Sequence, residues 1–323
     1  MRTPEASHPP SDGHPGLVDL QPEHAKLWGR HPVRIQHQLP ESTLFSDATL
    51  GRLIEGYPRH NYDLLHMAEQ GTGNMKEWRE GDLGRCSGAE VLQAIADGRL
   101  WLNLRRVHEV DPRYSRLLDE LFEALAAGIP GLKPRRLNLG ILISSPRAQV
   151  YYHADLPGQS LWQVRGTKRV FVYPNSPPFL PEDQIEGIVL NQTEAEIHYE
   201  PWFDEHARVF RLAPGEMLNW PLNAPHRVEN HDMVNISVTT EHWTPESRNL
   251  YATRYTNGLV RRRLGIEPGP PTARGLRVWP KAAVALAVKS SGLMDKERFP
   301  KRIEWELAPG EPDQLREVTP WLL

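Results

Sequence analysis

Hydrophobic and polar residues alternate in short runs over much of the chain, and a helical period appears only in a few places. His31–Leu39 reads HPVRIQHQL, with Val33, Ile35 and Leu39 at every second position, which predicts a strand. Ser46 stands at the N-cap of a short helix running through Leu53 and Ile54. Asn61–Ala68 predicts another strand, and the Gly- and charge-rich Gly71–Gly84 a loop. Ser87-Gly-Ala-Glu90 has capping-box spacing ahead of VLQAIA, a helix that Asp97-Gly98 closes. Arg99–Val107 alternates as a strand. Asp111-Pro112 then opens the clearest helix, with Leu117, Leu118, Leu121, Phe122 and Leu125 on one stripe.

From Arg136 to Trp243 the pattern changes. RLNLGILIS, QVYYHA, SLWQVRG, KRVFVYP, ARVFRLA, EMLNW, HRVEN and VNISVTTEHW follow one another, separated by Pro and Gly turns, and none has a strong helical period. Short strands without crossover helices predict an antiparallel sandwich or barrel. After Pro245 helical patterns return at Ser247–Leu264 and Ala282–Val288, and Lys301–Leu307 reads as a last strand. The expected organisation is mainly β with flanking helices. A tail at 1–16 precedes α/β elements at 17–135, a barrel at 136–244 and a mostly helical extension at 245–323.

Composition narrows the chemistry. The 323 residues carry 38 Lys+Arg against 41 Asp+Glu, and this balance argues against coating nucleic acid or an anionic membrane. No apolar run approaches the roughly 20 residues of a membrane span. The first sixteen residues have no apolar stretch of the kind a secretory signal needs, and read as a disordered tail. Cys86 is the single cysteine, which excludes an internal disulfide framework and a cysteine-built zinc cluster; it fits a reducing, cytoplasmic setting. If a metal is bound, histidine and carboxylate must bind it.

His153-Ala154-Asp155 ends a predicted strand with both polar side chains on one face. A second histidine, His226, lies in GEMLNWPLNAPHRVEN. The two segments resemble the paired motifs of the cupins. His153, Asp155, Gln159 and Gly166 match the first; Gly215, Pro221, His226 and Asn230 match the second. Asn223 replaces the usual second glycine, and Asn also tolerates the left-handed conformation. Asp155 stands where many cupins have histidine, and Gln159 where they have a metal-binding glutamate. The resemblance thus implies His153, Asp155 and His226 as ligands, the two-histidine, one-carboxylate triad of non-haem iron(II) oxygenases.

HADLPGQSLWQVRGTKRVFVYP further resembles the JmjC-type and factor-inhibiting-HIF-like branch of the 2-oxoglutarate oxygenases. That resemblance covers about 110 residues, 136–243. It implies a double-stranded β-helix (cupin or jelly-roll) barrel with helical extensions, iron(II), 2-oxoglutarate as cosubstrate and O2. The activity it implies is hydroxylation of a protein side chain or a small molecule. Lys168 matches the lysine that pairs with the far carboxylate of 2-oxoglutarate, for which a flexible ammonium is suited. Gln159, Asn138, Asn235, Ser237 and Thr239 are expected on the cosubstrate side. Trp162 and Tyr151 are expected to face substrate, Tyr151 because it shares parity with His153. Val150 stands where some relatives have a threonine that helps hold the cosubstrate.

Two alternatives stay open: a metal-dependent cupin enzyme that does not use 2-oxoglutarate, such as an isomerase or dioxygenase, and a non-catalytic binding module. His198-Tyr-Glu200 and Asp204-Glu205-His206 also mix imidazole and carboxylate, but an acidic loop interrupted by proline reads as solvated. Apolar positions after Pro245 predict a homodimer through the C-terminal helices.

Overall fold

The computed structural model describes residues 17–67, 78–193, 197–291 and 300–323. The predicted tail at 1–16, Ala68 and residues 71–77 of the predicted loop lie outside them. Five strands precede the barrel: β1 (Val18–Asp19), β2 (Val33–His37), β3 (Tyr62–His66), β4 (Arg79–Asp82) and β5 (Leu100–Leu104). The barrel strands are β6 (Arg135–Ser144), β7 (Gln149–His153), β8 (Gly158–Arg165), β9 (Lys168–Val172), β10 (Arg208–Leu212), β11 (Glu216–Asn219), β12 (His226–Asn230) and β13 (Asn235–Trp243). In the barrel the larger sheet has the order β11-β8-β13-β6 and the smaller one β10-β9-β12-β7. Successive strands cross from one sheet to the other at every connection except β9 to β10. This winding is the double-stranded β-helix that the sequence predicts.

Period-two patterning builds three apolar layers. Between the sheets lie Leu161, Val170, Val172, Leu218, Trp220 and Val228. The outer face of the larger sheet buries Ile141, Ile143, Trp162, Ile236 and Val238 against α2 (Asp47–Ile54), α3 (Gly88–Asp97) and α5 (Pro112–Gly128), numbered after α1 (Pro22–Leu27) and with α4 at Val107–Val110. Each such side chain contributes about 1.5–3 kcal/mol when fully buried. The smaller sheet turns Tyr152, Phe171 and Tyr173 outward, against α6 (Glu182–Val189) and α7 (Pro245–Leu259).

Local signals set several helix starts as expected. The Ser46 hydroxyl accepts from the Thr49 amide at 3.3 Å, Ser87 and Glu90 close a capping box, and Asp111 caps α5. Three features differ from the sequence reading. Part of the predicted Gly71–Gly84 loop is strand β4, because it pairs antiparallel with β3 and parallel with β14 (Arg302–Leu307) from the far end of the chain. The barrel region contains a helix, α6. The C-terminal region holds α8 (Val278–Ser291) but ends in a hairpin of β14 and β15 (Leu315–Leu322), which extends the larger sheet to eleven strands. In the first, pairing with a strand more than 200 residues away outweighs local pattern; in the last, β14 is the strand predicted at Lys301–Leu307 and β15 is added to it by a local hairpin.

Candidate metal centre

His153 ends β7 and His226 begins β12, and the two are direct cross-strand partners with ring centroids 4.1 Å apart. Asp155 lies two residues beyond β7, in the turn to β8. One ligand atom from each of the three falls within 4.8 Å of the others, and His226 Nε2 is 3.3 Å from Asp155 Oδ2. This is the one such group of His, Cys, Asp and Glu among the described residues. His153 Nδ1 lies 2.7 Å from the Tyr151 carbonyl, and His226 Nδ1 3.1 Å from that of Ala224. A carbonyl accepts only, so each Nδ1 carries the proton and each Nε2 offers a lone pair. Burial, reinforced by neighbouring His153, holds the His226 imidazole well below its ordinary range, in the neutral form a metal needs. Burial raises the Asp155 carboxyl, and His153 opposes that rise. A cation between them would favour the carboxylate. Two imidazoles and a carboxylate converging from a rigid strand pair fit iron(II) with open positions.

Neighbouring side chains fix these ligands. The Gln159 amide nitrogen faces the Asp155 carboxylate and donates to it. Asn223 has φ +59°, the left-handed geometry expected where the glycine is replaced. Its Nδ2 donates to the Asp155 carbonyl at 2.6 Å, and its Oδ1 accepts from Arg254 of α7 at 2.6 Å. One side chain thus ties the turn before His226 to the turn carrying Asp155.

The triad opens on a cavity of about 300 Å³ between the sheets, which Lys168, Gln159, Asn138, Thr239 and Val150 also line. Lys168 is 3 % exposed and donates to Ser237 Oγ at 2.7 Å. Burial pushes its ammonium down to about 7. It lies on β9, four residues before Val172, the partner of His226.

Four expected contacts do not line the cavity, among them Ser237, which sits behind Lys168 as its acceptor. Trp162 is fully buried on the outer face of the larger sheet, where its indole donates to Thr240 Oγ1 at 2.9 Å; it is core. Tyr151 lines a neighbouring cleft and touches the triad's cavity only through Trp78, one of its walls, because a bulge in the β7–β12 pair places His226 opposite His153 but Val228 opposite Val150. The bulge inverts parity, so Val150 faces the cavity and Tyr151 does not. Asn235 lies beside the Gly166 turn and hydrogen-bonds Gln163.

Other lining residues lay outside the reading. Glu241 has the parity of Ser237 and Thr239, a signal available in the sequence; Asn138 Nδ2 donates to it at 3.1 Å, and burial raises its carboxyl. Trp101, Asn103 and Arg105 come from β5 and the residue after it, which pairing to β6 alone brings to the wall.

Fold and site together define a double-stranded β-helix protein with a two-histidine, one-carboxylate group that could hold a metal ion. No protein-family model and no curated protein matches the chain. Among solved structures it is similar to the X-ray structure of ycfD from E. coli, with 17% identity, 87% of this chain and 70% of that one covered, and a TM-score of 0.49. A structure of YcfD, a ribosomal oxygenase from Escherichia coli, in complex with cobalt and 2-oxoglutarate gives 18%, 87%, 69% and 0.47. The DMSP lyase DddQ from Ruegeria pomeroyi gives 11%, 33%, 38% and 0.22. Similarity this low does not transfer an activity from one chain to another.

Proposed function

We propose that the protein is an iron(II)- and 2-oxoglutarate-dependent oxygenase that hydroxylates a protein side chain or a small molecule. The observation that carries this is a buried lysine in the same cavity as the triad. A metal site alone does not call for Lys168, whereas a cosubstrate that chelates iron at one end leaves a far carboxylate in need of a cation. Bound iron(II) would supply dioxygen activation coupled to decarboxylation of 2-oxoglutarate to succinate. His153, Asp155 and His226 hold and orient it. Gln159 and Asn223 fix the Asp155 turn, Lys168 receives the far carboxylate, and the apolar walls of Val150, Leu161, Trp220 and Val228 limit water. Iron-loaded protein should convert 2-oxoglutarate to succinate, and His153→Ala and Asp155→Ala should abolish the turnover. Protein that binds neither iron nor 2-oxoglutarate would sink the proposal. A turnover screen against peptides and metabolite pools then addresses substrate.

A second copy of the chain is the partner we propose for α8. Of its two charged residues, Lys281 turns inward to Asn257 of α7, and Lys289, itself exposed, folds back onto Tyr251 of α7. Its outward side exposes Trp279, Val284 and Leu286, an uncharged surface suited to pairing with itself. Light scattering should give a dimer that Leu286→Glu dissociates; a wild-type monomer overturns this.

A further inference from the structure

We propose that Gln163 is a positioning residue that sets the direction of a buried hydrogen-bond relay and thereby aims the Lys168 ammonium into the cavity. The inference rests on the 2-oxoglutarate reading for the role of Lys168, and on hydrogen-bond geometry for everything behind it. Gln163 is fully buried on β8 and does not line the cavity. Its Nε2 lies 2.6 Å from the Arg165 carbonyl, 3.0 Å from that of Gly166 and 2.7 Å from Asn235 Oδ1. Asn235 cannot be turned round, because its own Nδ2 donates to the Met233 carbonyl at 2.9 Å. The Gln163 amide nitrogen therefore faces acceptors only, and the orientation of the amide is fixed.

The consequence passes outward. Gln163 Oε1 is 2.8 Å from Ser237 Oγ, and since an amide oxygen only accepts, the Ser237 hydroxyl must spend its single proton there. Ser237 then has only lone pairs to offer Lys168 Nζ at 2.7 Å. Lysine must donate, and two of its three protons remain for the cavity. Without Gln163 the hydroxyl would be free to rotate and to present its proton to the lysine, which turns the contact against the ammonium. A hydroxyl locked as acceptor also favours the charged lysine over the neutral amine, in a site where burial works against charge. Asn235, at the back of the relay, acts on the amide and not on the cosubstrate.

The relay predicts a split that general damage would not produce. In iron(II)-loaded protein under anaerobic conditions, Gln163→Leu should weaken 2-oxoglutarate binding by about tenfold, the order of one charge-assisted hydrogen bond. Binding of 2-oxobutyrate, which lacks the far carboxylate, should stay within about twofold. Ser237→Ala should give the same split, and Ser237→Thr, which keeps the hydroxyl, should restore selectivity; this pair decides the matter if Gln163→Leu does not fold. Equal weakening of both acids, or no weakening, overturns the proposal. A second readout needs neither metal nor cosubstrate. Nitrogen-15 NMR of lysine-labelled, metal-free protein should show Lys168 Nζ protons exchanging about tenfold faster in Ser237→Ala than in wild type, and unchanged exchange overturns the relay. If the wild type fails to bind 2-oxoglutarate, the cosubstrate reading fails, and the relay stands or falls on this exchange alone.

Discussion

In the proposed role Lys168 meets two conflicting demands, since it must be charged to receive a carboxylate and burial disfavours charge. The folded protein holds its ammonium at about 7, against an ordinary value near 10.5. Above pH 7 the free protein therefore loses the proton that a carboxylate needs, and binding must take one up. Affinity for 2-oxoglutarate should be constant below about pH 6.5 and fall by up to tenfold per unit above 7. Calorimetry across pH 6–8.5 checks this, and a flat profile over that range would mean the lysine stays charged throughout. The candidate triad was legible in the sequence through its resemblance to the paired cupin motifs, which mark one strand end and one distal turn, and the fold brings these three side chains together. Tyr151 was misplaced because one bulge residue inverts parity, and a bulge leaves no mark in an alternating pattern. Trp162 was misplaced for a different reason, as aromatic residues fill cores more often than they line pockets.

At the scale of elements, helices α2 and α3 meet through two glycines. A Cβ on Gly88 would overlap the backbone of Gly51, including its carbonyl oxygen, and a backbone atom cannot swing aside as a side chain can. Helix propensity alone would make Gly88→Ala stabilising, by less than the roughly 1 kcal/mol of a helix interior because Gly88 is the first residue of α3. The close approach reverses that sign. Urea unfolding of Gly88→Ala should reveal a loss of roughly 1–3 kcal/mol, the cost of overpacking a tight contact. A gain would mean that the helices separate freely. The caps Ser46, Ser87 and Asp111 were readable because they act on amides two or three residues away. This contact was not, since nothing near Gly88 in sequence identifies Gly51 as its neighbour.

At the scale of the whole molecule, the chain's last strands and its first half share one wall of the site. Lys301, just before β14, pairs with Asp63 of β3, which also accepts from the cavity residue Asn103 at 3.1 Å and forms an ion pair with Arg105 at 3.2 Å. Trp305 of β14 is fully buried, its indole packed where a Cβ on Gly81 of β4 would lie and its Nε1 donating to the Arg79 carbonyl at 3.1 Å. These contacts join residues more than 200 positions apart, so the sequence marked β14 as a strand without marking its place. The larger sheet is continuous from β1 through the barrel to β15, and that continuity predicts a single cooperative unit. Removing the indole leaves a cavity in that unit. Trp305→Ala should cost about 3–5 kcal/mol and lower the midpoint of one shared transition. Unfolding followed by far-UV circular dichroism and by 2-oxoglutarate release should then stay coincident. A hairpin that melts first, with release unchanged from wild type, would show that β14 and β15 are an appendage and not part of the framework supporting the site.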